Sequence, residues 1–187
     1  MRFLVGALCL TLPAQSVLAC ACCVEKGERF EQTEALNDLA REEFSTLSGT
    51  TVAQVFVTAC DLECVQGVAD PQYEYAGDLT VTDGVFRLDF PGVGALSLPL
   101  GAEYARFGVD TDPFSEGPGL GLFSEFRFQG TLTADGDFSE ADGTTASLIF
   151  SGQTNWCWSG ADISHWSLDV IGPEVEFRLF GQFDVPQ

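Results

Sequence analysis

The sequence predicts an all-β fold: an antiparallel barrel or sandwich of about eight strands, with a Cys-rich N-terminal extension and one short helix. Three observations carry this. From residue 51 onward, apolar residues recur with period two in short runs. Gly, Pro, Asn and Asp collect between those runs, where turns are needed. Only one stretch, TEALNDLAREEFSTLSG, places apolar residues (Leu36, Leu39, Ala40, Phe44, Leu47) near helical spacing, with Thr33 as its expected cap and Gly49 as its stop.

Taken in order, the chain starts on a leader pattern. Met1-Arg2 is a small positive region, FLVGALCLTL is apolar, and Pro13, Gln15 and Ser16 form a polar end. This is the pattern of a secretory signal peptide. The apolar run is about half the length that spans a bilayer, and no second stretch reaches membrane-spanning length, so no integral membrane span is expected. Cleavage after Ala19 makes residues 1–19 the leader, and a second A-x-A site, Ala19-Cys20-Ala21, moves cleavage as late as residue 21. The segment VLAC also resembles a weak bacterial lipobox, which implies a lipid anchor on Cys20. Residues 20–50 then form the Cys-rich extension with its helix, and residues 51–187 the all-β domain. The expected location is the periplasm or the extracellular side, with outer-membrane anchoring if Cys20 is acylated.

Within the β domain, VAQVFVTAC reads as a mostly buried strand. LTVTDGVFRLDF reads as a hairpin: Asp83-Gly84 suits a two-residue loop with positive φ, so Val81 faces Phe86 and Leu79 faces Leu88. These four residues share one face, so turn chemistry and hydrophobic pattern agree. ALSLPL places Leu96, Leu98 and Leu100 inward, with Pro99 marking a short or edge strand. EYARFGV follows, then a Gly/Pro-rich loop over 110–121, then LFSEFRFQGTLTA with Phe126, Phe128 and Leu132 inward. A two-residue loop at Asp135-Gly136 would turn Phe138 to the wrong face, so a longer connection is expected there. TASLIF, HWSLDV and VEFRLFGQF complete the strands, with Trp166, Leu168, Val170, Val175, Phe177 and Leu179 inward.

Composition bounds the function. With 45% hydrophobic residues and 16 Phe, the chain has the material for one core. The formal charge of −20, from 28 acids and 8 bases, excludes nucleic acid as a partner, because phosphate contacts need clustered Lys and Arg. A closed barrel would offer its Phe-rich interior to a small apolar ligand.

Cysteine usage is the strongest chemical signal. Cys9 leaves with the leader, and Cys20, Cys22, Cys23, Cys60, Cys64 and Cys157 remain. Six cysteines in an exported chain suggest disulfides, and the adjacent Cys22 and Cys23 must each reach elsewhere. The expected mates are the CDLEC segment holding Cys60 and Cys64, together with Cys157. The rival is a thiolate site for a soft ion such as Cu(I), or a redox role. No Cys-x-x-Cys supports the redox role, and the cysteine and His165 spacing fits no zinc pattern, so neither a cofactor nor a metal is expected.

Catalytic patterns are weak, and an enzyme is the lesser expectation. His165 is the only histidine, with Asp169 on its face and Ser164 and Ser167 beside it, but no G-x-S-x-G turn presents a nucleophile. The acidic loops carrying Asp110, Asp112 and Glu116, and Asp135, Asp137, Glu140 and Asp142, lack the calcium-loop pattern and read as solvated turns. A carboxylate-dependent hydrolase has no spacing that singles out a pair. In NWCWSG, Trp156 and Trp158 flank Cys157; they are candidate ligand contacts, with packing around a disulfide as the alternative. The chain thus reads as an exported, disulfide-stabilised binding or structural module.

Overall fold

A computed structural model describes residues 22–57, 71–114, 121–173 and 175–183. The leader, Cys20, Cys60, Cys64 and Glu116 lie outside the described residues. Among the described residues the fold is a single antiparallel sheet curved into a half-barrel, with one α-helix. The strands are β1 (Arg29–Ala35), β2 (Gly49–Val57), β3 (Tyr73–Thr82), β4 (Val85–Phe90), β5 (Gly94–Pro99), β6 (Glu103–Asp110), β7 (Leu122–Thr131), β8 (Thr133–Ala134), β9 (Thr145–Thr154), β10 (Ile163–Ile171) and β11 (Glu176–Gln182). Their spatial order is β1-β6-β7-β9-β10-β11-β2-β3-β4-β5-β8. No helix among the described residues is long and apolar enough to cross a membrane.

The sheet has eleven strands, more than the expected eight or so: nine fall on the segments read from the sequence and two are added. One added strand is β1, whose sequence RFEQTEA buries no residue and so carries no alternation to read. It pairs with β6 along its whole length, Arg29 opposite Val109 through Ala35 opposite Glu103. The other is β8, where LFSEFRFQGTLTA breaks at Leu132. β7 pairs with β6 and β9, whereas β8 pairs with β5, at the far end of the sheet order. One continuous stretch of chain therefore runs from the third strand of the sheet order to its last.

The predicted hairpin is present in the predicted register, with Val81 opposite Phe86 and Leu79 opposite Leu88. Asp83 at φ 53° and Gly84 at φ 74° supply the positive angles that the tight turn demands. After β8 the connection is a six-residue 3₁₀ helix, Gly136–Ala141, which turns Phe138 inward.

The helix α1 (Asp38–Ser45) starts later than Thr33, which belongs to β1. Asn37 is the cap, its Oδ1 accepting the Ala40 N–H at 2.9 Å. Leu36, Ala40, Phe44 and Leu47 are buried, while Leu39 is 67% exposed, so the buried stripe runs at spacings of four, four and three residues and leaves Leu39 out.

Phe44 carries the helix into the core. Its ring meets Tyr104, Phe126, Phe128, Phe150 and Trp158 at centroid distances of 4.8–5.6 Å. The inward residues expected on the hairpin, on β5 and Leu100, on β7 and Leu132, and on β10 and β11 are in the buried core, except Val175, which precedes β11 and is only partly buried against that core. The interior is thus filled by the protein's own rings and aliphatic chains. That counts against a small apolar ligand in the Phe-rich interior, because close-packed side chains already occupy the space such a ligand would need.

Candidate functional site: the tryptophan loop

β9 ends at Thr154, and residues 155–159 connect it to a short 3₁₀ helix, Gly160–Asp162. This connection is NWCWS, and a disulfide, ring contacts and hydrogen bonds fix it. A disulfide joins Cys157 to Cys22, with the Cα atoms 5.0 Å apart and 135 residues between them in the chain. Cys23 is also disulfide-bonded, so the adjacent cysteines serve different bridges.

Trp156 stacks on Phe30 of β1, with centroids 4.5 Å apart and planes 15° from parallel. Its Nε1 donates to Glu28 Oε2 at 3.1 Å. Trp158 turns the other way and packs on Phe126 at 4.5 Å and Phe44 at 4.8 Å. Both rings are half-buried. The loop therefore uses its tryptophans as packing around the disulfide.

Beneath the loop lies Arg106 of β6, only 3% exposed. Nη2 donates to the Asn155 carbonyl at 2.7 Å, and Nη1 to the Trp156 carbonyl at 3.4 Å. The guanidinium sits 5.4–5.6 Å from the rings of Phe30, Phe126 and Trp156. Its counter-charge is Glu34 of β1 at 3.6 Å. Burial pulls the Arg106 pKa down, and Glu34 opposes that pull. Glu34 also accepts a 2.6 Å hydrogen bond from the Tyr104 hydroxyl. Burial, then Glu34, pushes Tyr104 far above the ordinary tyrosine range. The result is a charged clamp inside an aromatic box, which orders two loop carbonyls and holds no nucleophile.

Arg106, Tyr104 and Glu34 were not singled out by sequence pattern. The available signal was the alternation of EYARFGVD, which places Tyr104, Arg106, Gly108 and Asp110 on the buried side. Polar residues at inward positions mark a network rather than a plain core.

The loop also touches the helix. The Gly160 N–H donates to Glu43 Oε2 at 2.7 Å, and Thr46 Oγ1 donates to the Glu43 carbonyl at 2.7 Å. A Cβ on Gly160 would collide with Thr46 Oγ1 and the Glu43 carbonyl. Gly160→Ala is expected to cost about 1–3 kcal/mol, read as a lower urea midpoint with an unchanged slope. An unchanged midpoint would show that the loop and helix part freely.

His165 is exposed, and its Nδ1 lies 2.8 Å from Ser164 Oγ. Asp169 faces Arg178 at 3.3 Å rather than the histidine. Burial raises the Asp169 pKa, and Arg178 opposes the rise. No Ser-His-Asp relay is assembled from these residues. The acidic loops are occupied with backbone. Asp110 accepts from the Gly27 and Asp112 N–H groups at 2.9 Å, Asp135 from Ala95 at 2.7 Å, and Asp142 from Ala134 at 3.0 Å. Asp137 and Glu140 lie exposed in the 3₁₀ helix. Among the described residues no three His, Cys, Asp or Glu side chains gather as a metal-binding group. The chain matches no family model, no curated protein and no solved structure.

Proposed function

We propose that the chain is an exported, disulfide-stabilised all-β module that binds through its surface. The observation that carries this is the Cys22–Cys157 bridge, which ties the start of the described chain to a loop 135 residues later. A bridge of that span suits an oxidising compartment, in keeping with the leader pattern before it. The packed interior directs attention to the surface rather than the barrel lumen.

Intact mass of the protein recovered from an exporting host, before and after reduction, tests the reading. The expected result is loss of residues 1–19 or 1–21 and a gain of two hydrogens per bridge, with at least two bridges. A retained leader with free thiols would overturn it. Added diacylglycerol mass would establish Cys20 as a lipid anchor.

A thiolate copper or redox role is the second reading. It is weakened because Cys22, Cys23 and Cys157 are held in disulfides and so are not free thiolates. A carboxylate-dependent hydrolase has no observation in its favour.

Paired Cys22→Ser and Cys157→Ser changes are expected to lower stability by about 2–3 kcal/mol, measured by urea unfolding of the oxidised protein. The chain-entropy model for so long a loop gives about 5 kcal/mol. The neighbouring bridge at Cys23 already restrains the same end of the chain, which lowers the increment.

A further inference from the structure

The ladder between β2 and β11 is short. It pairs Val57 to Gln54 with Phe177 to Phe180, although β2 begins at Gly49 and β11 runs on to Gln182. Beyond Gln54 and Phe180, side chains replace the ladder. Thr51 Oγ1 donates to the Gln182 carbonyl at 3.2 Å, and Trp166 Nε1 donates to Thr51 Oγ1 at 3.2 Å. The Trp166 indole lies directly under Gly181, where a Cβ would collide with the ring.

Over this parting of strands the outer face carries a groove of ≈ 900 Å³, lined in part by Val52, Gln54, Asp78, His165, Phe180 and Gln182. The volume falls within the roughly 300–1,000 Å³ of small-ligand sites. Cross-strand pairing sets His165 against Gln182, Phe180 against Gln54, and Thr50 against Asp78, so these side chains share the outer side. Val52 is 54% exposed and offers apolar surface to solvent. The polar lining is a carboxylate, two amides and hydroxyls, with His165 as the one ring nitrogen donor or acceptor; no Lys or Arg lines the groove. The whole chain carries a formal charge of −20. Such a field concentrates cations and repels anions.

We propose that this groove binds a small organic ammonium ion. Its apolar part lies against Val52 and Phe180, and its N–H donors turn toward the Asp78 carboxylate and the amide oxygens of Gln54 and Gln182. The proposal rests on the surface-binding reading above and gives it a ligand class.

The test is a two-dimensional amide NMR titration of the oxidised protein with phenethylammonium, 2-phenylethanol and phenylacetate, which share a ring and differ in charge. Phenethylammonium is expected to give saturable shifts at Val52, His165, Gly181 and Gln182, and to bind about fivefold tighter than the alcohol. Phenylacetate is expected to give none. Asp78→Asn lies on the exposed side of β3 and is expected to reduce the ammonium to the affinity of the alcohol. Equal binding of all three probes, saturable shifts confined to the tryptophan loop, or no saturable shift would each overturn the proposal. Failure of the export reading shows instead in the intact mass, which does not depend on the groove.

Discussion

Phe44→Ala is expected to destabilise the protein by about 3–5 kcal/mol, the largest single-residue effect we foresee. Phe44 is 0% exposed and its ring meets five aromatic neighbours. It is also the only aromatic residue that α1 sends into the sheet. Removing it leaves a hole whose walls come from β6, β7, β9 and the tryptophan loop, which hydrogen bonds hold in place and which cannot all relax inward. Urea unfolding should show the midpoint falling at constant slope. Phe44→Leu fills most of the volume and should lose clearly less. Equal losses would mean that restored volume recovers nothing and that the ring contacts themselves carry the effect.

Arg106→Ala should cost about 3 kcal/mol, and Arg106→Met about 1 kcal/mol. The alanine variant leaves two loop carbonyls without their donor and a gap between Phe30, Phe126 and Trp156. Methionine refills that gap and removes the buried charge with it. Glu34→Gln keeps the guanidinium buried while deleting its counter-charge, so it should cost more than Arg106→Met despite being the smaller change in shape. Glu34 is 26% exposed, so solvent moderates the loss. Near-UV circular dichroism of the tryptophans distinguishes the clamp from bulk packing. Arg106→Met should reduce that signal while the far-UV spectrum stays unchanged. A preserved tryptophan signal would show that the disulfide alone orders the loop.

Much of the sheet could be read from the sequence because its causes are local. The Asp83-Gly84 turn fixes the register of β3 and β4 through two backbone angles, and the alternation on either side agrees with it. Strand β1 could not be read that way. RFEQTEA is stabilised by its ladder to β6, some seventy residues away, and its side chains stay near solvent. The helical spacing reads too early into the chain for a related reason. Thr33 and Leu36 have helical spacing, but Thr33 pairs with Ala105, and the cap falls to Asn37. At the candidate site, Cys157 and the two tryptophans drew notice by type. Their partners, Cys22, Glu28, Phe30 and Arg106, come from strands and turns that meet the loop only in the finished sheet. Six cysteines allow about fifteen full connectivities, and the Cys22–Cys157 pair occurs in only about three of them.

The strand order has a consequence for timing. β2, early in the chain, lies between β3 and β11, and β11 is the last strand among those described. Cys22 likewise waits for Cys157, and β1 for β6. A nascent chain lacking β11 can form the β2–β5 meander and the β9–β10 hairpin, but each keeps a bare edge, and no backbone ladder joins β10 to β2. Assembly therefore becomes cooperative only when the final strand has emerged, and topologies this non-local fold in about milliseconds to seconds. A chain stopped before Glu176 would be two sticky part-sheets, prone to aggregate through the edges that β11 covers.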